Sequence, residues 1–156
     1  MESFQKDEYW MKLCLELGRK AMEAGNAPVG SVIVKNGELV GKGMEATKSK
    51  EDVICHAEVE AIRDAIEKGV NDFSDATLYS NHEPCVMCSY LIRHHKFGKI
   101  VFGITVPEIG GYSGEFCILK THSISFWSVP PEIVSGILEE ECEEVLKQYR
   151  IKKHNL

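Results

Sequence analysis

The sequence lacks the long apolar runs and the basic, apolar leader that mark membrane and secreted proteins. No apolar stretch approaches the ~20 residues that a transmembrane helix needs. Residues 1–8 contain acidic and polar side chains without a basic start or an apolar core, so no signal peptide is predicted. Without a secretory signal, the six cysteines favour free thiols over disulfides. These absences predict a cytoplasmic protein without membrane association.

Basic residues are also outnumbered: 18 Lys and Arg stand against 24 Asp and Glu, for a net charge of −6. This balance argues against a broad nucleic-acid-binding surface. A length of 156 residues with 44% hydrophobic residues is enough for one well-formed core. Because no repeat or linker divides the chain, a single domain over 1–156 is predicted.

The hydrophobic patterns alternate between helical and strand periodicity. Predicted helices cover 7–25, 57–69, 84–95 and a last region that starts at Pro130-Pro131. Predicted strands cover 29–34, 39–42, 77–80 and 99–104, with an edge strand at 123–127 and an irregular stretch at 107–121. Asn36-Gly37 is a strong hairpin signal between the first two strands. The alternation predicts an α/β fold: a mixed sheet with helices on both faces.

The Cys85-Val86-Met87-Cys88 stretch is the strongest chemical signal in the chain. Two thiols at this spacing can share one metal ion from the first turn of a helix, with Pro84 expected at the first helical position. His56 is the matching third ligand. Two thiolates and one imidazole suit zinc and leave a fourth coordination position open, as catalytic sites do. One zinc ion per chain is therefore predicted.

Glu58 lies two residues after the ligand histidine. Mid-helix, His56 and Glu58 would point about 200° apart, so both can face a metal only where the helix begins. Zinc lowers the pKa of bound water towards neutrality, and Glu58 is the expected proton carrier. The alternative is a structural zinc, with Glu58 a first-turn acid favoured by the helix dipole. Cys55 adjoins His56 too closely to be a comfortable fourth ligand.

His-x-Glu paired with Pro-Cys-x-x-Cys is the signature of zinc-dependent deaminases. The chain resembles the cytidine deaminase-like superfamily, and within it bacterial tRNA adenosine deaminases and guanine and cytosine deaminases. The matching segments include 9–11, 28–30, 56–58, 76–79, 83–88, 101–103 and 136–138. The resemblance implies a three-layer α/β/α sandwich around a five-stranded mixed sheet, and a homodimer. It also implies zinc held by His56, Cys85 and Cys88, with Glu58 as proton shuttle.

Two positions depart from the pattern of these relatives. Glu45 stands in a loop where relatives usually carry an asparagine that contacts the substrate. It either faces an uncharged, donor-rich substrate or is a solvated loop acid. After the 99–104 strand, Thr105-Val106-Pro107-Glu108 replaces the Arg-Asp-Ala-Lys typical of tRNA adenosine deaminases. Losing both basic residues weakens phosphate binding.

The main hypothesis is zinc-dependent hydrolytic deamination of a free nucleobase, nucleoside or related aminated heterocycle. One alternative is a tRNA adenosine deaminase that forms inosine at the wobble position; another is a zinc-stabilised module without catalysis. Phe116, Trp127 and Tyr112 are aromatic candidates for stacking on a planar ring, although Trp127 fits a core equally well. The candidate substrate contacts are Glu45, Ala57, Glu108, Phe116 and Trp127.

Overall fold

The computed structural model describes residues 2–127 and 129–154, a part of the chain that contains four helices and five strands. The helices are α1 (Ser3–Glu23), α2 (Ala57–Glu67), α3 (Val86–His94) and α4 (Glu139–His154). The strands are β1 (Gly30–Lys35), β2 (Glu38–Met44), β3 (Ala76–His82), β4 (Lys99–Ile104) and β5 (Glu132–Val134). Within these ranges, none of the helices combines the length and the apolar character required to cross a bilayer.

The strands form one mixed sheet in the order β2-β1-β3-β4-β5. β1 pairs antiparallel with β2 and with β3, whereas β3, β4 and β5 run parallel. The predicted hairpin turn is present: Asn36 and Gly37 both have positive φ, 53° and 76°, as a two-residue hairpin turn requires. The predicted five-stranded mixed sheet is therefore confirmed.

A hydrophobic layer covers each face of the sheet. Helices α1 and α4 cover one face, where Met11, Cys14, Cys142 and Val145 pack against Val32, Val34, Tyr79 and Val101. Helices α2 and α3 cover the other, where Ala61, Ile62 and Ile92 pack against Ile33, Leu78, Ile100 and Phe102. Alternate residues of each central strand thus enter opposite cores. This is the predicted three-layer α/β/α sandwich.

The C-terminal region differs from the prediction. Residues 123–127 are irregular, and the edge strand is β5, where Val134 pairs with Val101. The last helix begins at Glu139, after Gly136 and Leu138 have adopted positive φ of 82° and 52°. Such backbone interrupts a helix. The expectation of a helix from Pro130-Pro131 was wrong. Val134 and Leu138 do pack against the same core, as in an apolar helix face, but Val134 belongs to β5 and Leu138 to the loop before α4.

The start of α3 also differs by two residues from the prediction. Cys85 is the N-cap, and Val86 is the first helical residue, so Pro84 precedes the helix instead of opening it. The Pro84 carbonyl accepts hydrogen bonds from the Ser89 hydroxyl (3.1 Å) and the Gly111 N–H (3.0 Å). Pro84 therefore joins α3 to the 105–114 loop.

Strand β2 packs closely on α2, the helix that begins beside His56. A Cβ atom on Gly43 would come within 2.4 Å of both the Ala57 carbonyl oxygen and the Ala61 nitrogen. Since these are backbone atoms of the helix, relief would require β2 and α2 to separate. The glycine thus fixes how near the sheet the first turn of α2 can lie.

We predict that Gly43→Ala destabilises the fold by about 1–3 kcal/mol, the usual cost of overpacking. Urea unfolding measures the change. Lys42→Ala is the matched control, because the Lys42 side chain on the same strand is exposed. Equal unfolding free energies for Gly43→Ala and the wild type would contradict the close approach of strand and helix.

Candidate active site

Two helix N-termini meet at the site. His56 is the N-cap of α2, with extended backbone (φ −69°, ψ 154°), and Cys85 is the N-cap of α3 (φ −67°, ψ 174°). Glu58 is the second helical residue of α2. Because His56 lies outside the helical backbone, its side chain need not follow the 100° helical rotation that would turn it away from Glu58. The expectation that both residues act from the helix start agrees with this geometry.

The side chains of His56, Cys85 and Cys88 match the dimensions of a zinc site. The His56 Nδ1 atom lies 3.5 Å from Cys85 Sγ and 3.6 Å from Cys88 Sγ. Tetrahedral zinc with ordinary Zn–N and Zn–S bonds requires ligand separations of about 3.5 Å for such a pair. Among the described residues, these three form the group of His, Cys, Asp or Glu side chains that can hold a metal ion. Cys55 is directed elsewhere, with its Sγ 3.9 Å from Arg63 Nη1.

The three candidate ligands interact strongly with one another. The interaction with Cys88, followed by that with His56, lowers the pKa of Cys85 to about 4. The interaction with Cys85 raises the pKa of His56 to about 9, and it also raises the pKa of Cys88. Metal binding requires two thiolates and a neutral imidazole. Zinc would therefore displace protons from His56 and Cys88 when it binds.

Glu58 is a buried carboxylate directly beside these ligands. Its side chain is 4% exposed, and it accepts a hydrogen bond from the Ser80 hydroxyl at 2.9 Å. Its other oxygen lies 3.6 Å from Cys88 Sγ. Burial raises the pKa of Glu58 to about 7. A carboxyl group with such a pKa can both accept and return a proton near neutral pH.

A cavity of about 170 Å³ opens in front of the ligands. It is lined by Ala27, Val29, Glu45, His56, Glu58, His82, Glu83, Cys85 and Ile109. Glu45 is only 8% exposed, and its carboxylate interacts with the Thr47 side chain and the Ala57 backbone N–H. Burial raises the pKa of Glu45, although nearby His56 opposes the shift. Of the two interpretations of Glu45, the cavity-facing one fits this burial.

The cavity walls depend on two buried polar residues that the sequence analysis did not single out. The Asn81 side chain accepts the Gly30 N–H and donates to the Pro28 carbonyl, both at 2.8 Å, which ties the 26–29 connector to β3. The Glu83 carboxylate accepts hydrogen bonds from the backbone N–H groups of Val106, Tyr112 and Ser113 and from the Ser113 hydroxyl. Burial opposes its ionisation, but these bonds lower its pKa.

The remaining sequence-predicted contacts divide between the cavity and other surfaces. Ala57 is fully buried and meets Glu45 through its backbone. Glu108 is exposed in the loop next to the cavity-lining Ile109. Phe116 is 59% exposed and is not part of the cavity lining. The Trp127 ring stacks on Arg93 (4.9 Å), near the end of α3 that points away from Cys85, so it packs instead of covering the cavity.

Comparison with known proteins agrees with this geometry. Residues 4–104 match the family described as the cytidine and deoxycytidylate deaminase zinc-binding region. The chain belongs to this family. All three candidate ligands and Glu58 lie inside the matched range, so zinc is the cofactor of the domain, and the expected membership of the cytidine deaminase-like superfamily is confirmed.

Individual relatives within the deaminase family can be compared along most of the chain. A tRNA-specific adenosine deaminase of Bacillus subtilis is 35% identical over 145 residues, covering 92% of this chain and 88% of the relative. The corresponding enzyme of Aquifex aeolicus is 33% identical, covering 85% and 91%. A structure from work on A-to-I editing by tRNA:A34 deaminases superposes with a TM-score of 0.80 at 30% identity, covering 88% of this chain and 99% of the other.

A more distant structure shares the fold alone. Guanine deaminase from Nitrosomonas europaea superposes with a TM-score of 0.78 at 19% identity, covering 92% of this chain and 84% of the other. The same α/β/α framework therefore occurs in deaminases that are named for different substrates.

We predict that Cys88→Ala loses most of its zinc and melts at a lower temperature, because metal binding contributes to folding free energy. Metal analysis of the purified protein and a thermal melt measure both effects. Cys117→Ala is the matched control: this half-buried thiol contacts the Gly114 carbonyl, outside the ligand group, and its loss should leave the zinc content unchanged. Full zinc occupancy in Cys88→Ala would contradict the ligand assignment.

Proposed function

We propose that this protein is a zinc-dependent hydrolytic deaminase that converts an amino-substituted nucleobase and water into the keto base and ammonia. The observation that carries the proposal is the position of the buried Glu58 carboxylate, held by Ser80 at 2.9 Å beside a convergent His/Cys/Cys set. When bound, zinc would supply a Lewis acid that makes water nucleophilic at neutral pH. The cavity is lined by His56, Cys85 and Glu58 together, so substrate and proton carrier can meet there.

Glu58 would carry the protons of the reaction. It accepts a proton from the attacking water and delivers it to the ring nitrogen, which makes the ring carbon more electrophilic. Glu58 then takes the remaining proton of the added hydroxyl group and passes it to the exocyclic amine, so that the carbon–nitrogen bond breaks, ammonia leaves and the keto oxygen remains. The Ser80 hydroxyl keeps the carboxylate oriented between the two transfers. His56, Cys85 and Cys88 are the proposed metal ligands.

The cavity limits what can enter. At about 170 Å³ it is smaller than the roughly 300–1,000 Å³ of typical ligand pockets, so it suits one planar ring system with any attached sugar outside. This restriction applies equally to a free base and to a base that is flipped out of a nucleic acid. The substrate class must therefore be argued from other observations.

Adenosine in tRNA is the first candidate substrate. The relatives with 35% and 33% identity are tRNA-specific adenosine deaminases, and each is covered over at least 88% of its length. This support makes the wobble-inosine alternative stronger than the free-base hypothesis that the sequence analysis put first. A tRNA substrate also implies additional contacts outside the cavity, and the proposed homodimer would enlarge the surface available for them.

A free base or nucleoside is the second candidate, and the acidic surroundings of the cavity favour it. Glu45 is buried in the cavity wall, and Glu108 is exposed beside it. Ionised carboxylates accept hydrogen bonds but repel phosphate. Thr105 and Glu108 stand where the tRNA enzymes typically carry basic residues. These residues suit an uncharged substrate with several hydrogen-bond donors.

The decisive experiment measures ammonia release from adenine, guanine, cytosine, their nucleosides and nucleotides, and tRNA with adenosine at the wobble position. Release from tRNA alone supports the first candidate, and release from a base or nucleoside supports the second.

Glu45→Asn and Glu45→Gln should lower kcat/KM by about 5- to 150-fold on an uncharged substrate, the effect of one lost hydrogen bond. They should also weaken discrimination against nucleotides. Glu38→Gln, an exposed acid on β2, is the control.

Glu58→Gln tests the mechanism independently of the substrate. This variant keeps the side-chain shape and should retain zinc, but it should lose at least about 100-fold in kcat because the proton carrier is absent. Glu60→Gln is the matched control, since Glu60 lies on the same helix and pairs instead with Lys50 and Arg63. Undiminished ammonia release by the zinc-loaded Glu58→Gln protein would rule out the proposed proton transfers.

A further inference from the structure

One polar side chain of the cavity has no role in the proposed chemistry. His82 is the last residue of β3, and it follows Leu78 and Ser80 on the strand face that packs against α2. Ser80 uses this position to reach Glu58 at 2.9 Å. His82, two residues further along the same face, lines the cavity together with Glu45 and Glu58. It lies outside the group of side chains that can hold the metal.

The His82 ring is unusual because one nitrogen is buried without a partner. Within the described residues, Nε2 is excluded from solvent and makes no hydrogen bond. Burial lowers the pKa of His82, although the neighbouring Glu83 carboxylate opposes the shift; Arg150 lowers it further. The imidazole is therefore neutral at physiological pH, with one donor nitrogen and one acceptor nitrogen. A buried polar atom without a partner is a lasting cost to the fold.

We propose that His82 is a substrate-binding residue: its ring turns about the Cβ–Cγ bond, which brings the otherwise solvent-excluded Nε2 to the cavity, and forms a hydrogen bond with a polar edge atom of the bound base. The inference rests on the proposed deaminase function and adds a specificity-determining residue to the same site. A base edge supplies the missing partner because nucleobases carry donors and acceptors around their rim. The cavity that His82 lines has room for one planar ring system.

His82 and Glu45 complement one another as recognition groups. Ionised Glu45 can only accept hydrogen bonds, whereas a neutral imidazole offers either a donor or an acceptor at Nε2. Two such groups in one cavity wall can require two polar atoms on the same ring. Discrimination is strong in such a site, because a base that lacks one of these atoms leaves a buried protein group unpaired.

His82→Leu tests this proposal through two readouts that move in opposite directions. Leucine has similar bulk but no polar atom, so the melting temperature of the ligand-free variant should equal or exceed that of the wild type. Its kcat/KM on the base, nucleoside or tRNA that releases ammonia should fall by about 5- to 150-fold, mainly through KM. His82→Gln, which restores a polar group, should recover part of that loss.

His94→Leu is the matched control. His94 is exposed at the last turn of α3, about 13 Å along the helix axis from the Cys85 end. Its replacement by leucine should therefore leave kcat/KM unchanged. Affinity is measured separately in a zinc-loaded Glu58→Gln background, where the same compound is bound without turnover. There, His82→Leu should raise the Kd by a similar factor while the zinc content stays constant.

Three results would overturn the inference. A wild-type kcat/KM and Kd in His82→Leu would show that the ring does not contact the base. A lower melting temperature together with unchanged kinetics would show that His82 is a packing residue with an unseen partner. If the wild type releases ammonia from none of the compounds, the proposed function fails and this inference fails with it; the first two results leave the proposed function intact.

Discussion

The candidate site depends on one constraint: the N-termini of α2 and α3 must meet at the same edge of the sheet. His56 and Cys85 are both N-cap residues, so their side chains leave the backbone before helical geometry fixes their directions. The positive ends of the two helices favour thiolate and carboxylate there. Close packing of β2 on α2 at Gly43 holds one helix start in position. A small shift of either helix would open the 3.5 Å spacing of the ligands.

The end of β3 organises the surroundings of these helix starts, with successive residues acting on alternate sides. Ser80 orients Glu58, and Asn81 anchors the 26–29 connector. His82 enters the cavity wall, and Glu83 binds the loop that carries Ile109. The alternation of the strand, continued by Glu83 directly after it, thus distributes four polar side chains between the cavity and the loops that border it. Each is costly to bury alone, and three of them have their hydrogen bonds satisfied.

Local signals explain which parts were predictable. Cys85 and Cys88 share one helical turn, and Glu58 lies within two residues of His56, so sequence spacing brought out the candidate ligands and the proposed proton carrier. The hairpin and the strand at 99–104 carried equally local patterns. The C-terminal region carried no such local pattern. Val134 reaches the core from β5, and Leu138 reaches the same core from a loop position with positive φ. The predicted strand at 77–80 ended too early, which left His82 without an expected role.

Substrate choice is harder to infer because the cavity is assembled from distant segments. Its wall combines the 26–29 connector, Glu45 before α2, His82 at the end of β3 and Ile109 in a later loop. The His/Cys/Cys set comes from two helix starts, and residues 45 and 82 lie outside it. In the proposed function, a change at either position alters the contacts with the base while the three candidate ligands and Glu58 remain in the sequence. If Glu45 and His82 contact the base as proposed, they carry substrate information that the metal motif does not, within a framework that also occurs in relatives named for different substrates.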